Sequence, residues 1–302
     1  MSPRPESAPT VAVIVERRHV DKAAFVETCA ALEAAGCRVP LIVPDSRRLH
    51  AIPSERPPWD AVLSRGRDLA GLGLLAWAAA LGVVAVNTPA AIELVRNKIA
   101  MQSMLLQHGL PLPRTWFAAD PTAFAKLPRE LFPLVVKPFD GDGSQGLALL
   151  HTPADVALVE PPRGKTLFLA QEYLEAGGYD LKLYGIGREL FAVRKPSPVV
   201  FDGAGPARPS DRDGAQLVEV DAQLREIGLT CGRALGLELW GVDVAMTARG
   251  PVVIEVNDFP TYSAVPDAGA AIARHVLRLV ELARLVRRSG RDRARSLVRL
   301  AG

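Results

Sequence analysis

The most constraining feature of this 302-residue sequence is the stretch GVDVAMTARGPVVIEVN, residues 241–257. Two apolar runs flank a short turn around Arg249, a pattern that predicts a β-hairpin. The hairpin sets Asp243 roughly opposite Glu255, and Asn257 shares the face of Glu255 because it follows two residues later. Three oxygen-bearing side chains therefore converge within an otherwise apolar pair of strands.

This convergence predicts a metal site. Two carboxylates side by side repel each other unless a cation lies between them. Partial ligation by carboxylate and amide oxygens is how Mg²⁺ is usually held in proteins, so Asp243, Glu255 and Asn257 are candidate ligands. The alternative is a surface hairpin whose acids face solvent. The intervening Val, Ile and Met residues argue against it, because they indicate that the other face is buried.

A glycine-rich loop follows an apolar strand in VVKPFDGDGSQGLALL. Lys137 ends the strand, and the loop contains Gly141, Gly143, Ser144 and Gly146. Glycines allow backbone N–H groups to approach an anion, which makes phosphate binding one interpretation of the loop. The loop matches neither the P-loop pattern nor the strand-to-helix pattern of dinucleotide-binding folds.

Two cations lie on a second predicted hairpin, formed by YDLKLYGIG and RELFAVRK. A turn at Gly187 and Arg188 sets Lys182 close to opposite Arg194. Like charges side by side are destabilising unless they share an anion, so the pair is a candidate clamp for phosphate or carboxylate. The alternative is two solvated cations on an edge strand.

Composition narrows the class of protein. A net charge of +3 and 6% aromatic residues argue against a nucleic-acid-binding face. Three isolated cysteines without metal-ligand spacing are typical of a reducing compartment, and no stretch has the shape of a signal peptide or a membrane span. We therefore predict a cytoplasmic protein that binds neither nucleic acid nor membrane.

The order of elements predicts an α/β chain. The first third alternates strands and helices, which indicates a small parallel sheet with flanking helices, whereas strand and turn signals dominate from residue 130 to residue 196. The segment VVFDGAGPARPSDRDGAQ is predicted to be a loop, and a helix is predicted from Ala268 to Val286. The basic tail RRSGRDRARSLVRL is predicted to be an exposed helix with a solvated face, or a frayed end.

Six stretches together resemble the ATP-grasp superfamily: NTPAAIELVRNK, GLPLPRTW, VVKPFDGDGSQGL, AQEYLEAGGYDLKLYGIG, AVRKPSP and GVDVAMTARGPVVIEVNDFP. The resemblance covers nearly the whole chain and implies an α/β ATP-grasp fold. This fold has an N-terminal Rossmann-like domain (1–96), a small central lid (97–170), a C-terminal α+β subdomain (171–288) and, in this chain, a basic tail (289–302).

The resemblance also implies roles for individual residues. Lys182 and Arg194 match positions that stabilise the transferred phosphoryl group, and the Asp243, Glu255 and Asn257 set matches the magnesium ligands. The implied cofactors are ATP and Mg²⁺, with Mn²⁺ as a substitute. The implied contacts to ATP are Lys98, Lys137, Gly141, Gly143, Ser144, Gly146, Glu172, Tyr173, Glu175 and Asp180.

Two branches of the superfamily compete. NTPAAIELVRNKIAMQSMLLQHGLPLPRT resembles RimK-type and glutathione-synthetase-like carboxylate-amine ligases, although the Arg- and Asn-rich segment usual after the Arg194 position is absent. GGYDLKLYGIG, VRKPSP and NDFPTYSAVP resemble inositol-polyphosphate 5/6-kinases. We predict an ATP-dependent ligase that forms an amide or peptide bond through an acyl phosphate. A kinase that phosphorylates an alcohol and a non-catalytic ATP-binding module are the alternatives.

The predicted substrates are small-molecule or peptide carboxylates and amines, and homo-oligomers are an expectation from the family. Residues that follow the strands of an α/β domain are the usual ligand contacts, and Arg suits carboxylate or phosphate recognition. The candidate substrate contacts are Arg17, Arg18, His19, Arg65, Arg67 and Lys195.

Overall fold

The structure is a computed structural model that describes residues 8–45, 47, 51–140, 146–159, 164, 166–197 and 214–300, with the backbone alone over 290–300. The chain divides into two compact units. The first unit comprises Met1–Pro89 and Pro266–Gly302, and the second comprises Ala90–Val265. The predicted loop over residues 199–216 lies largely outside the described residues.

The first unit is built on a four-stranded parallel sheet with the strand order β2-β1-β3-β4. The two central strands are buried along their whole length, as the continuous apolar runs of a parallel sheet predict. The predicted parallel sheet with flanking helices is confirmed. Its elements are β1 (Val11–Val15), α1 (Ala23–Ala34), β2 (Leu41–Ile42), β3 (Ala61–Arg65), α2 (Leu69–Ala80) and β4 (Val84–Val86).

The last helix, α6 (Ala268–Leu300), packs against α1 within this first unit. Gly269 makes the close approach possible, because a Cβ atom there would lie 2.7 Å from the backbone nitrogen of Thr28. An ion pair of 3.1 Å joins Arg284 of α6 to Asp60, the residue before β3. The sequence analysis placed residues 268–288 in the C-terminal subdomain, whereas these contacts group them with the first unit. The division of residues 97–265 into lid and C-terminal subdomain stays a prediction.

The second unit contains two antiparallel sheets. The first sheet has the strand order β5-β8-β6-β7, and its apolar core includes Phe124, Leu134 and Phe168. Two helices precede it in the chain, and the Asn97 side chain caps the start of the second helix by accepting from Ala100 N. The elements are α3 (Pro89–Arg96), α4 (Lys98–Gln107), β5 (Thr115–Ala118), β6 (Leu134–Pro138), β7 (Ala148–Leu150) and β8 (Phe168–Glu172).

The second sheet has five strands in the order β11-β10-β9-β12-β13. One face packs on helix α5 (Ala222–Leu235), where Gly232 leaves room for the buried Trp240 ring, and Trp240 Nε1 donates to Gly228 O at 3.0 Å. The strands are β9 (Tyr179–Ile186), β10 (Glu189–Pro196), β11 (Gln216–Val218), β12 (Leu239–Thr247) and β13 (Gly250–Asn257). Because side chains alternate along a strand, the opposite face carries the polar residues.

The register of this sheet tests the two predicted hairpins. Asp243 lies directly opposite Glu255, as predicted, next to a β-bulge between Asp243 and Val244. The predicted pairing of Lys182 with Arg194 is wrong by one residue. Lys182 is opposite Val193 on β10 and opposite Asp243 on β12. No described helix is long and apolar enough to cross a membrane.

Candidate functional site

The polar face of the five-stranded sheet gathers the three predicted metal ligands. Asp243 and Glu255 are cross-strand partners on β12 and β13, and Asn257 shares the face of Glu255. The Asn257 Nδ2 group donates to Asp243 Oδ2 at 3.0 Å. The predicted convergence of these side chains is therefore confirmed as geometry.

Glu255 is the meeting point of two lysines from distant parts of the chain. Lys98, the first residue of α4, forms an ion pair with Glu255 Oε1, and Lys137 Nζ from β6 lies 3.4 Å from Glu255 Oε2. The side chains of Lys98 and Lys137 are 7% and 13% exposed, so both ammonium groups lie in a largely desolvated place. Such buried charges are tolerated only when they are paired, and Glu255 supplies the opposite charge.

A third lysine contacts the other carboxylate. Lys182 Nζ on β9 lies 2.8 Å from Asp243 Oδ1 and 3.2 Å from Oδ2. Three ammonium groups thus face two carboxylates, and the cluster carries an excess of positive charge. A cluster with this balance is suited to bind an anion.

The pKa shifts follow from this arrangement. Burial alone would raise the pKa of Glu255, but Lys137, Lys98 and Lys182 together lower it to about 2, so the group stays ionised. Burial, with a contribution from Lys98, lowers the pKa of Lys137 although Glu255 opposes the change. Burial would also lower the pKa of Lys182, but Asp243, Tyr184 and Glu255 together outweigh it and raise the pKa.

Arg194 does not belong to this face. Arg194 pairs with Leu181 rather than with Lys182, so the Arg194 side chain projects from the face of the sheet opposite to Lys182. There it is exposed and stacks on the Tyr179 ring, with its guanidinium carbon 3.8 Å from the ring centre. The next residue, Lys195, points to the side of Lys182. The predicted clamp of Lys182 and Arg194 is therefore corrected: Lys195 is the β10 cation on the polar face.

Asp180 lies on the polar face opposite Lys195. Ser197 Oγ donates to Asp180 Oδ2 at 3.1 Å. Burial, followed by the nearby charge of Asp243, raises the pKa of Asp180 to about 6 against the effect of the Ser197 hydrogen bond. A carboxyl group with this pKa can exchange a proton near neutral pH.

The family model for the RimK-like ATP-grasp domain matches residues 95–280, which is more than half of the chain. The chain belongs to the RimK-like ATP-grasp family. Among curated proteins it is 32% identical over 236 residues to a probable alpha-L-glutamate ligase of Shewanella loihica, covering 74% of this chain and 77% of that protein. A probable alpha-L-glutamate ligase of Vibrio atlanticus is 29% identical, with 80% and 82% covered.

Two solved structures share the fold of this chain. A RimK domain ATP-grasp protein from Sphaerobacter thermophilus matches 89% of this chain and 99% of its own length, with a TM-score of 0.65 and 24% identity. The D-cycloserine synthetase DcsG matches with a TM-score of 0.71 at 18% identity, again over 89% and 99%. At these identities the likeness shows the fold, and the predicted ATP-grasp fold is confirmed.

The predicted ATP contacts Glu172, Tyr173 and Glu175 of this RimK-like ATP-grasp protein lie at the end of β8 and directly after it. The Glu172 carboxylate is held by Arg114 and Arg249, each at 3.2 Å. The backbone N–H groups of Glu172 and Tyr173 donate to Arg114 O at 2.9 Å and Pro133 O at 3.1 Å. These two N–H groups are therefore committed within the protein, and Glu175 lies exposed farther along the segment.

The predicted phosphate loop is described only at its end. Gly146 has a φ of 69°, a conformation that favours glycine, and it precedes β7. Gly141, Gly143 and Ser144 lie outside the described residues, so their predicted contact with phosphates stays a prediction.

The predicted metal set fits magnesium by its donor chemistry. Within the described ranges no group of three or more His, Cys, Asp or Glu side chains is arranged to hold a metal ion. The set here combines the carboxylates of Asp243 and Glu255 with the amide of Asn257, which are the hard oxygen donors that Mg²⁺ prefers. These residues fit the ion, and the assignment stays a prediction.

The remaining candidates lie in the first unit, at the carboxyl ends of β1 and β3. The sequence analysis missed the residue that organises them, Glu16. Its Oε2 atom pairs with Arg18 Nε at 2.6 Å, while its Oε1 atom accepts from the backbone N–H groups of Arg67 and Asp68. An acid directly before the run Arg17, Arg18 and His19 was the available signal.

Proposed function

We propose that this protein is an ATP- and Mg²⁺-dependent ligase that activates a carboxylate as an acyl phosphate, which an amine then attacks to give an amide or peptide bond. Its curated relatives are named as glutamate ligases, in agreement with the predicted enzyme class, ligases that form carbon–nitrogen bonds. The observation that carries the proposal is the cluster in which Lys98, Lys137 and Lys182 meet Glu255 and Asp243.

The lysines of the cluster are suited to bind the phosphates of ATP. Lys98 and Lys137 share one carboxylate, Glu255, and can turn their ammonium groups to an incoming phosphate because each ammonium offers three donors. Lys182 lies beside Asp243, where it would offset the charge that develops on the transferred phosphoryl group. Desolvation strengthens these interactions because water competes for them less.

Asp243, Glu255 and Asn257 would hold Mg²⁺. When bound, the ion neutralises phosphate charge and orients the phosphoryl group for in-line transfer. The fixed strand pairing of Asp243 with Glu255 keeps the two carboxylates at one spot, so the protein spends little conformational entropy on binding.

We take L-glutamate as the first substrate to test, since the relatives carry its name. The structure of the ATP-grasp ligase PsnB with its precursor peptide PsnA2, at a TM-score of 0.67 and 17% identity, makes peptide carboxylates the second class. Positioning and electrostatics supply most of the catalysis in such a site, so no nucleophilic side chain of the protein is needed.

The test is a product-resolved assay. The purified protein is incubated with Mg-ATP, L-glutamate and pools of amino acids, peptides and inositol phosphates, and the products are followed by phosphorus NMR and mass spectrometry. We expect ADP, inorganic phosphate and a product formed with loss of water. Phosphate retained on an alcohol would show a kinase instead, and the lack of ATP turnover with every added compound would favour a non-catalytic module.

A further inference from the structure

Tyr184 carries a buried hydroxyl group with no hydrogen-bond partner among the described residues. The side chain is fully buried on β9. Its neighbour Tyr262 is buried as deeply, at a ring distance of 5.4 Å, but the Tyr262 hydroxyl donates to Gly185 O at 2.8 Å. The two tyrosines therefore share an environment and differ in whether the hydroxyl is satisfied.

The unpartnered hydroxyl belongs to the polar face of the sheet. Tyr184 follows Lys182 by two residues on the same strand, so the two side chains share a face. Lys195 Nζ lies 5.8 Å from the centre of the Tyr184 ring.

A glycine on the neighbouring strand β12 allows close packing around Tyr184. Gly241 is opposite Tyr184, and a Cβ atom there would lie 3.0 Å from Pro260 and 3.3 Å from Lys182 Cε. The Lys182 side chain therefore lies beside Gly241, the cross-strand partner of Tyr184, and Lys195 lies over the Tyr184 ring.

The hydrogen-bond donors of Tyr184, Lys182 and Lys195 indicate which kind of ligand these three side chains can bind. A lysine ammonium is a donor only, and a tyrosine hydroxyl without a partner has a proton to donate. An oxyanion accepts hydrogen bonds from all of them. A buried hydroxyl that makes no hydrogen bond is costly, and a phenylalanine would fill the same space without that cost.

We propose that the Tyr184 hydroxyl completes an oxyanion-binding site with the ammonium groups of Lys182 and Lys195. The oxyanion is the acceptor carboxylate or the transferred phosphoryl group, and this choice of source rests on the proposed ligase function. Tyr184 is thus a substrate-contacting residue beyond the lysines and acids that the family resemblance implies.

The test compares Tyr184→Phe with the wild type, using Tyr262→Phe as the matched control. Binding of L-glutamate and of inorganic phosphate to the Mg-ADP complex is measured by isothermal titration calorimetry, together with the affinity for Mg-ADP and the melting temperature. We expect Tyr184→Phe to lower the affinity for one of the two oxyanions about tenfold, because it removes one hydrogen bond to a charged group. It should leave Mg-ADP affinity unchanged and not lower the melting temperature.

Tyr262→Phe should lower the melting temperature, since it leaves Gly185 O without its donor, and should keep both oxyanion affinities. Weaker binding of L-glutamate in Tyr184→Phe would identify a carboxylate as the ligand, and weaker binding of phosphate would identify the phosphoryl group. Equal affinities in wild type and Tyr184→Phe, or no binding of either oxyanion to the wild type, would overturn the proposal. Failure of the ligase function is a separate result: it appears as ATP turnover without a condensed product.

Discussion

Lys137 and Glu255 come from different sheets of the second unit, yet Lys137 Nζ lies 3.4 Å from Glu255 Oε2. Lys98 contacts the other oxygen of the same carboxylate. Glu255, on the five-stranded sheet, therefore forms ion pairs with helix α4 and with the four-stranded antiparallel sheet of the second unit. We therefore expect a substitution of Glu255 to affect both the stability of the unit and the binding of the proposed anionic substrate.

Glu255→Gln is expected to reduce ligase turnover by at least about 100-fold, because it removes a proposed metal ligand and the counter-charge of two lysines. Leaving two desolvated ammonium groups without that charge should lower the free energy of unfolding by on the order of 3 kcal/mol. Turnover and urea unfolding measure the two effects. Glu226→Gln is the control, because its ion pair with Arg233 is exposed and should be worth under about 1 kcal/mol. Near-wild-type turnover in Glu255→Gln would contradict the site.

Lys137→Met is expected to lower kcat/KM for ATP by about 100-fold, as typically follows the loss of one charge-stabilising donor. Methionine keeps much of the length of the side chain, so the change tests the charge rather than the packing. Lys126→Met, at an exposed position in the same part of the chain, should change kcat/KM by less than about twofold. Steady-state kinetics with varied Mg-ATP decide between the outcomes, and equal values for the two variants would argue against a phosphate contact by Lys137.

Lys195→Ala and Arg194→Ala test which of these two β10 cations contributes to binding of the acceptor substrate. Lys195 shares the face of Lys182, whereas Arg194 is exposed on the other face. We expect Lys195→Ala to raise the KM for the acceptor about tenfold and Arg194→Ala to change it by less than about twofold. A larger effect from Arg194→Ala would mean that the acceptor is bound from the other side of the sheet.

Glu16 predicts a pH dependence in the first unit. Burial alone would raise the pKa of Glu16, but Arg18 and the N–H groups of Arg67 and Asp68 lower it below the reference value of 4.5. A carboxyl group with a lowered pKa stabilises the native state above its unfolded pKa, and this contribution is lost as the pH falls through the native pKa. The wild type should therefore be more stable than Glu16→Gln at pH 7, with a gap that shrinks below pH 4.5.

Urea unfolding of both proteins between pH 7 and about pH 3 measures this gap. Arg18→Met serves as the companion variant, because it removes the ion pair of Glu16 and keeps the backbone hydrogen bonds. It should retain part of the pH dependence. A gap between wild type and Glu16→Gln that stays constant across the range would contradict the assigned role.

Local pattern determined a large part of the second unit. The two-residue spacing of Glu255 and Asn257 places them on one face of any strand, and the short turn sets Asp243 opposite Glu255. The parallel sheet of the first unit was also predictable, since alternating apolar strands and helices leave few other ways to bury their faces.

The β9–β10 hairpin shows how strongly a predicted partner depends on the exact register. Its two-residue turn pairs Ile186 with Glu189, which sets Lys182 opposite Val193 rather than Arg194. A difference of one residue moves a side chain to the other face, so a small error in the register changed the predicted partner of Lys182 completely.

By itself, the sequence determined the fold class, the family and the convergence of Asp243, Glu255 and Asn257, because these depend on short-range periodicity and on the order of motifs. Only the tertiary structure decided that Lys98 and Lys137, 157 and 118 residues away, meet at Glu255. It also decided that Tyr184 is buried without a hydrogen-bond partner while Tyr262 is satisfied. Contacts between distant segments depend on how whole sheets and helices pack, and no local spacing carries that information.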